Sequence, residues 1–127
     1  MILTSNSQLV NCKYLQQIMT LSQEQGVEEL PRKILMNLID EQDQLTLEWE
    51  TLTKNSSRLS ELHYRLHNLK NSYCNLGCEM AGTQISVIEQ AVKEGQCTDT
   101  LSVLWVKFRK ISVETLAVLK KQILIVN

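Results

Sequence analysis

Apolar side chains recur at Leu45, Trp49, Leu52, Leu59, Leu62, Leu66, Leu69, Tyr73, Leu76 and Met80, with Ser56 filling one slot. The steps alternate mostly between four and three, the spacing that holds one stripe of a helix against a partner. Two successive three-residue steps, at Ser56, Leu59 and Leu62, form a local stammer that overwinds a coiled coil. As a single helix this stretch of about 36 residues would span roughly 54 Å, longer than an ordinary globular helix.

Upstream, Leu9, Val10, Cys12, Leu15, Ile18, Met19 and Leu21 predict a first helix over 7–25, capped by Ser5 or Ser7 and stopped at Gly26. Pro31 suits the first turn of the next helix, where its missing N–H costs nothing, and Glu28 and Glu29 favour that end. From there Ile34, Leu35, Leu38 and Ile39 lead into the central stripe, with neither Gly nor Pro until Gly77. The polar Lys54-Asn55-Ser56-Ser57 allows a turn with Ser56 or Ser57 as a cap. Because the stripe resumes in phase beyond it, the helix over 31–54 is expected to run on into 58–93. Gly77 and Gly82 then mark a kink or the close approach of another helix. After the stop signal at Gly95, Thr98-Asp99-Thr100 is expected to cap a last helix over 99–126. Its apolar residues (Leu101, Leu104, Trp105, Phe108, Ile111, Leu116, Val118, Leu119, Ile123, Val126) form a face wide enough for at least two neighbours. The expected fold is all-α, one domain over 1–127: an antiparallel bundle or coiled-coil hairpin of three to four helices, one unusually long. The residues expected to pack or to form an interface are Leu45, Trp49, Leu52, Leu59, Leu62, Leu66, Leu69, Tyr73, Trp105 and Phe108.

Composition narrows this little further. One Pro and four Gly in 127 residues leave no room for a turn-rich β sandwich. A formal net charge of −1 gives no reason to expect a nucleic acid or a membrane as partner. The charge is unevenly spread, however. Residues 24–50 hold Glu24, Glu28, Glu29, Asp40, Glu41, Asp43, Glu48 and Glu50, while Lys107, Arg109, Lys110, Lys120 and Lys121 fall near the end. Opposite signs of this kind order helices in a bundle or align two copies antiparallel. With no signal-like N-terminus and no 18-residue apolar run, the expected location is cytoplasmic, with Cys12, Cys74, Cys78 and Cys97 as reduced thiols. A four-helix cytokine shares the shortness and the even Cys count, but its secretory signal is missing here.

The run Leu38, Leu45, Trp49, Leu52, Arg58, Leu62 resembles the third helix of a spectrin repeat. The resemblance covers about residues 10–70, with the run past Leu62 standing for the continuous linker between repeats. It implies a non-enzymatic cytoskeletal or scaffold module. A full repeat needs a further helix for which the chain has no room before residue 1.

Two constellations are spaced for chemistry. His63 and His67 are four apart, as are Cys74 and Cys78, the spacing by which a helix offers two ligands to one zinc. His67 and Cys74 are about 10 Å apart by helical rise, so on a straight helix the four cannot share one ion, and no metal or other cofactor is expected. Arg58 and His63 resemble the Arg-x4-His element of HEPN-type ribonucleases, although Leu59 stands where that pattern carries a polar residue. The resemblance implies Arg58 stabilising a phosphate and His63 exchanging a proton. Trp105 and Phe108 share the apolar face of the last helix, which leaves Lys107, Arg109 and Lys110 on its solvent side and argues against a nucleic-acid site. The functional expectation is a non-enzymatic helical scaffold or adaptor that binds other proteins and forms a homodimer along the long stripe. The rival readings are a small helical chaperone or adaptor of bacterial secretion or motility, and the HEPN-like ribonuclease.

Overall fold

The computed structural model describes residues 9–124. It contains five packed helices and, among the described residues, no strand. They are α1 (Cys12–Glu24), α2 (Leu30–Lys54), α3 (Leu59–Asn75), α4 (Glu79–Lys93) and α5 (Thr98–Ile123), with a 3-10 turn at Ser56–Arg58 between α2 and α3. Ser5, Ser7 and the expected end of the last helix at 126 lie outside the described residues, but the first helix is corrected: it begins at Cys12 and not at 7, capped by Asn11, whose carboxamide oxygen accepts from the Tyr14 N–H at 3.0 Å.

The single long helix is corrected: residues 31–93 form three helices. At Asn55 the backbone turns extended, with φ −113° and ψ 105°. The Asn55 carboxamide oxygen accepts from the Ser57 N–H at 3.1 Å and from its hydroxyl at 2.6 Å, the local competition by which Asn breaks a helix. The second break follows Asn75. Gly77 takes φ +81°, Cys78 N–H donates to the Tyr73 carbonyl at 2.9 Å, and Gly77 N–H donates to that of Cys74 at 3.0 Å. This is a Schellman ending, which a residue with a Cβ adopts only under strain. Gly26 and Gly95 end α1 and α4 in the same way. The in-phase stripe is therefore not a straight seam. It is folded back on itself, and the chain covers it without a second copy.

Helix α3 packs on α2 and, most extensively, on α4; α5 packs on α4 and returns to α2. Thus α2–α5 and α3–α4 form opposite sides of a four-helix ring. Helix α1 lies against α2 and is tied to the α3–α4 corner, where Asn11 N–H donates to the Gly77 carbonyl at 2.8 Å. Of the expected packing residues, Leu59 is only partly buried, and the others form the core. The indoles of Trp49 and Trp105 stack at 4.5 Å, Phe108 lies 5.0 Å from Trp105, and Tyr73 meets Phe108 edge-on at 5.7 Å. Three buried side chains, Gln42, Trp49 and Tyr73, find partners across the ring, as burial demands, whereas the Trp105 indole N–H is left without one. Gln42 donates to the Ser112 hydroxyl at 3.0 Å and accepts from the Tyr73 hydroxyl, and Trp49 donates to Ser102 at 3.0 Å. The expected Thr98-Asp99-Thr100 cap is also corrected. Cys97 occupies the N-cap position, and Thr98 donates to the carbonyl of Thr53 at 3.0 Å, closing α5 onto the end of α2.

Candidate functional site

Glu89 is the anomaly from which the site is built. It sits on α4 in phase with Ile85, Ile88 and Val92, and only 8% of it is exposed. A carboxylate so deeply placed needs compensating donors or charges, and α3 supplies them from one face. Lys70 Nζ lies 3.1 Å from Glu89 Oε1. The two imidazoles share the other oxygen, His67 through Nδ1 at 3.3 Å and His63 through Nε2 at 3.5 Å. The Lys70 contact is an ion pair without the alignment of a hydrogen bond, which leaves Oε1 without a directional donor. The helical i, i+4 and i, i+3 offsets of His63, His67 and Lys70 place all three on the α4-facing edge of α3.

The two histidines differ in what they leave free. A carboxylate only accepts, so the Nδ1 of His67 that faces Glu89 carries the proton. In the neutral ring the lone pair is then on Nε2, on a side chain that is 50% exposed. His63 turns its outer nitrogen inward and is 39% exposed. The contact from His67 is at the long end of hydrogen bonding and that from His63 is beyond it, so the carboxylate orients His67 more firmly.

The sequence-predicted constellations fare differently. His63 and His67 do share a face. Cys74 lies two turns further along α3 against α4, its Sγ 2.6 Å from where a Cβ on Gly82 would stand. Cys78 is fully buried beyond the helix break, and desolvation pushes its thiol up to about 12. The four do not converge, and among the described residues no group of three or more His, Cys, Asp and Glu side chains is arranged to hold a metal ion. Arg58 and His63 are not brought together either. Arg58 pairs with Glu61 at 2.9 Å and lies 4.0 Å from Glu48 on α2, whereas His63 faces α4. Arg65 extends that first network, 3.2 Å from Glu48 and 3.5 Å from Glu61. Glu89 and Lys70 were not among the sequence candidates. The available signal was an acid on the apolar phase of α4.

Other recesses lie away from this group. A polar cleft of about 350 Å³ between α2 and α3 is lined by Asp40, Glu41, Gln44 and Arg65, and partial burial there raises the Glu41 carboxyl. No helix among the described residues is long and apolar enough to cross a membrane. Comparison with known proteins finds no matching family model, no matching curated protein and no matching solved structure.

Proposed function

We propose that this protein is a helical adaptor that works by binding another protein, and that it presents His67 to that partner as a phosphoryl acceptor. The observation that carries the reading is the buried Glu89 carboxylate on Nδ1 of a half-exposed imidazole, whose Nε2 is not engaged by that carboxylate. The adaptor role is the class of function the spectrin-repeat resemblance implies. The histidine gives that binding a chemical purpose.

In the proposed reaction the Nε2 lone pair attacks the phosphorus of an acyl phosphate or phosphoanhydride. A P–N bond forms, the P–O bond to the leaving group breaks, and the leaving oxygen departs with the electron pair. The ring gains positive charge while Nδ1 keeps its proton, and Glu89 opposes that charge across 3.3 Å. Lys70, about one turn along the same face and held 3.1 Å from Glu89, is the cation this reading assigns to the incoming phosphoryl oxygens. The imidazole is half exposed at the edge where α3 meets α4, so the surface that encloses it during transfer belongs to the partner. The chain then acts as a carrier of the phosphoryl group, without turnover of its own.

The test is incubation with acetyl phosphate, followed by phosphorus NMR and a gel that retards phosphoproteins. The expected product is a single acid-labile, base-stable phosphoramidate on the wild-type chain, absent from His67→Gln and retained in His63→Gln. Equal labelling of wild type and His67→Gln, or none of either, overturns the reading.

A further inference from the structure

We infer that the outer face shared by α2 and α5, on the far side of the ring from His67, is where a second copy of this chain docks. The dimer is two-fold, with its axis running along the bundle. This inference does not depend on the phosphoryl reading.

Both helices expose apolar side chains outside the core. Met36 and Leu47 on α2 are 50% and 79% exposed, and Val103, Val106 and Val113 on α5 are 67%, 55% and 65% exposed. These side chains share the outward phase of two neighbouring helices, which sets them apart from singly scattered exposed residues. The charges beside them are of opposite sign: Asp43 on α2, with Asp40 at the edge towards α3, and Lys110 on α5, with Lys107 at the edge towards α4. Among the described residues none of these four takes part in an ion pair. The α2 strip is apolar and acidic, and the α5 strip is apolar and basic. Each is chemically the complement of the other.

Symmetry decides how two copies meet. A closed pair uses one patch on both copies. With the two-fold axis across the bundle, α2 lies over α2 and α5 over α5, so acids face acids and bases face bases. With the axis along the bundle, α2 of one copy lies over α5 of its partner, and heights along the helices are preserved. The bonds Gln42–Ser112 and Trp49–Ser102 fix those heights. By interpolation Asp43 stands level with Lys110, and Leu47 within a turn of Val106. Only the second arrangement satisfies charge and apolar contact together. It also leaves His67 of both copies facing outward on opposite sides of the assembly.

The experiment measures solution mass of the full chain by light scattering and sedimentation, beside circular dichroism to verify folding. Three variants are compared with wild type: Asp40→Lys/Asp43→Lys, Lys107→Glu/Lys110→Glu, and Leu47→Ser, a substitution on an open surface. Wild type is expected at twice 14.6 kDa. Each charge-reversed variant alone is expected to be monomeric, since its two strips then carry the same sign. An equimolar mixture of the two is expected to regain the dimer mass as a heterodimer. Leu47→Ser is expected to weaken association at least about tenfold. A monomeric wild type at about 100 μM, charge-reversed variants that still dimerise, or a mixture that stays monomeric overturns the inference.

Discussion

The two sides of the ring hold together by different physics. Between α2 and α5 the contact is aromatic and uncharged: two stacked indoles with Phe108 beside them, the Gln42–Ser112–Tyr73 group supplied with partners, and one indole N–H, that of Trp105, buried without one. Between α3 and α4 the helices come close enough for Gly82 to face the Cys74 sulfur, yet the seam carries a buried carboxylate, an ammonium and two imidazoles. The first side is built to be stable. The second accepts an expensive charge, because a well-packed apolar residue is often at least as stabilising as a buried ion pair. A protein that needed only a fourth packing seam had no use for Glu89, and that contrast is what marks the site.

Phe108→Ala tests the packing side most harshly. It removes a fully buried ring from the centre of the aromatic group and is expected to cost about 3–5 kcal/mol in denaturant unfolding, with a native far-ultraviolet spectrum where folded. A loss below about 1 kcal/mol would break the comparison. Alkaline unfolding comes next. The Cys78 thiol ionises near 9.0 when open to water in the unfolded chain and is pushed up to about 12 when folded, because burial disfavours the thiolate. Its contribution is therefore fully present below pH 9 and is lost as pH rises toward about 12. Burial raises the Tyr73 hydroxyl in the same direction. Cys78→Ala should flatten the slope of stability against pH in that window; an unchanged slope would exclude the thiol as its source.

Gly77→Ala should cost about 1–2 kcal/mol, since the residue has φ +81° and a Cβ would also stand 3.2 Å from the Asn11 carbonyl oxygen. Gly26→Ala, with a similar φ but open space around it, is the control and should cost less. Asn55→Ala removes the acceptor that turns the chain out of α2, and should lower stability by about 0.5–1 kcal/mol without lengthening the helix. The smallest stability effect sharpens the comparison most. Glu89→Met should leave stability unchanged or raise it by about 1 kcal/mol, yet slow phosphoryl acceptance at His67 at least about tenfold. If acceptance persists at the wild-type rate, the carboxylate is structural and the two seams do not differ in purpose.

How much of this was legible depends on the range of each cause. The helical class, the apolar stripes and the stops at Gly26 and Gly95 are local, and the pattern from Leu45 to Met80 shows most of its members meeting the core. The turn at Asn55 was visible as a polar interruption but lost to the phase argument. A heptad that resumes in register fits a continuous helix and a folded-back pair equally well, and only the partners of Leu52 and Leu62 distinguish them. Gly77 and Gly82 read as a kink or a close approach; Gly82 is a close approach to Cys74, while Gly77 is a full reversal that the bond from Asn11, far away in sequence, helps hold. His67 was visible through its spacing from His63. Its buried partner was not, because nothing local tells that Glu89 of one helix will face Lys70 of another.

The chain has two tryptophans, and they lie against each other. One is on α2 and the other on α5, 56 positions apart, so their stacking exists only once the last helix has closed on the second. Neighbouring helices can associate by short hairpins; this closure joins distant parts of the sequence and is the step with the largest loop entropy. Coupled indole transitions in the near-ultraviolet thus provide an optical signal for ring closure without any added label. Stopped-flow records at that wavelength, set beside backbone signals, would time the arrival of α5 against the formation of the helices themselves.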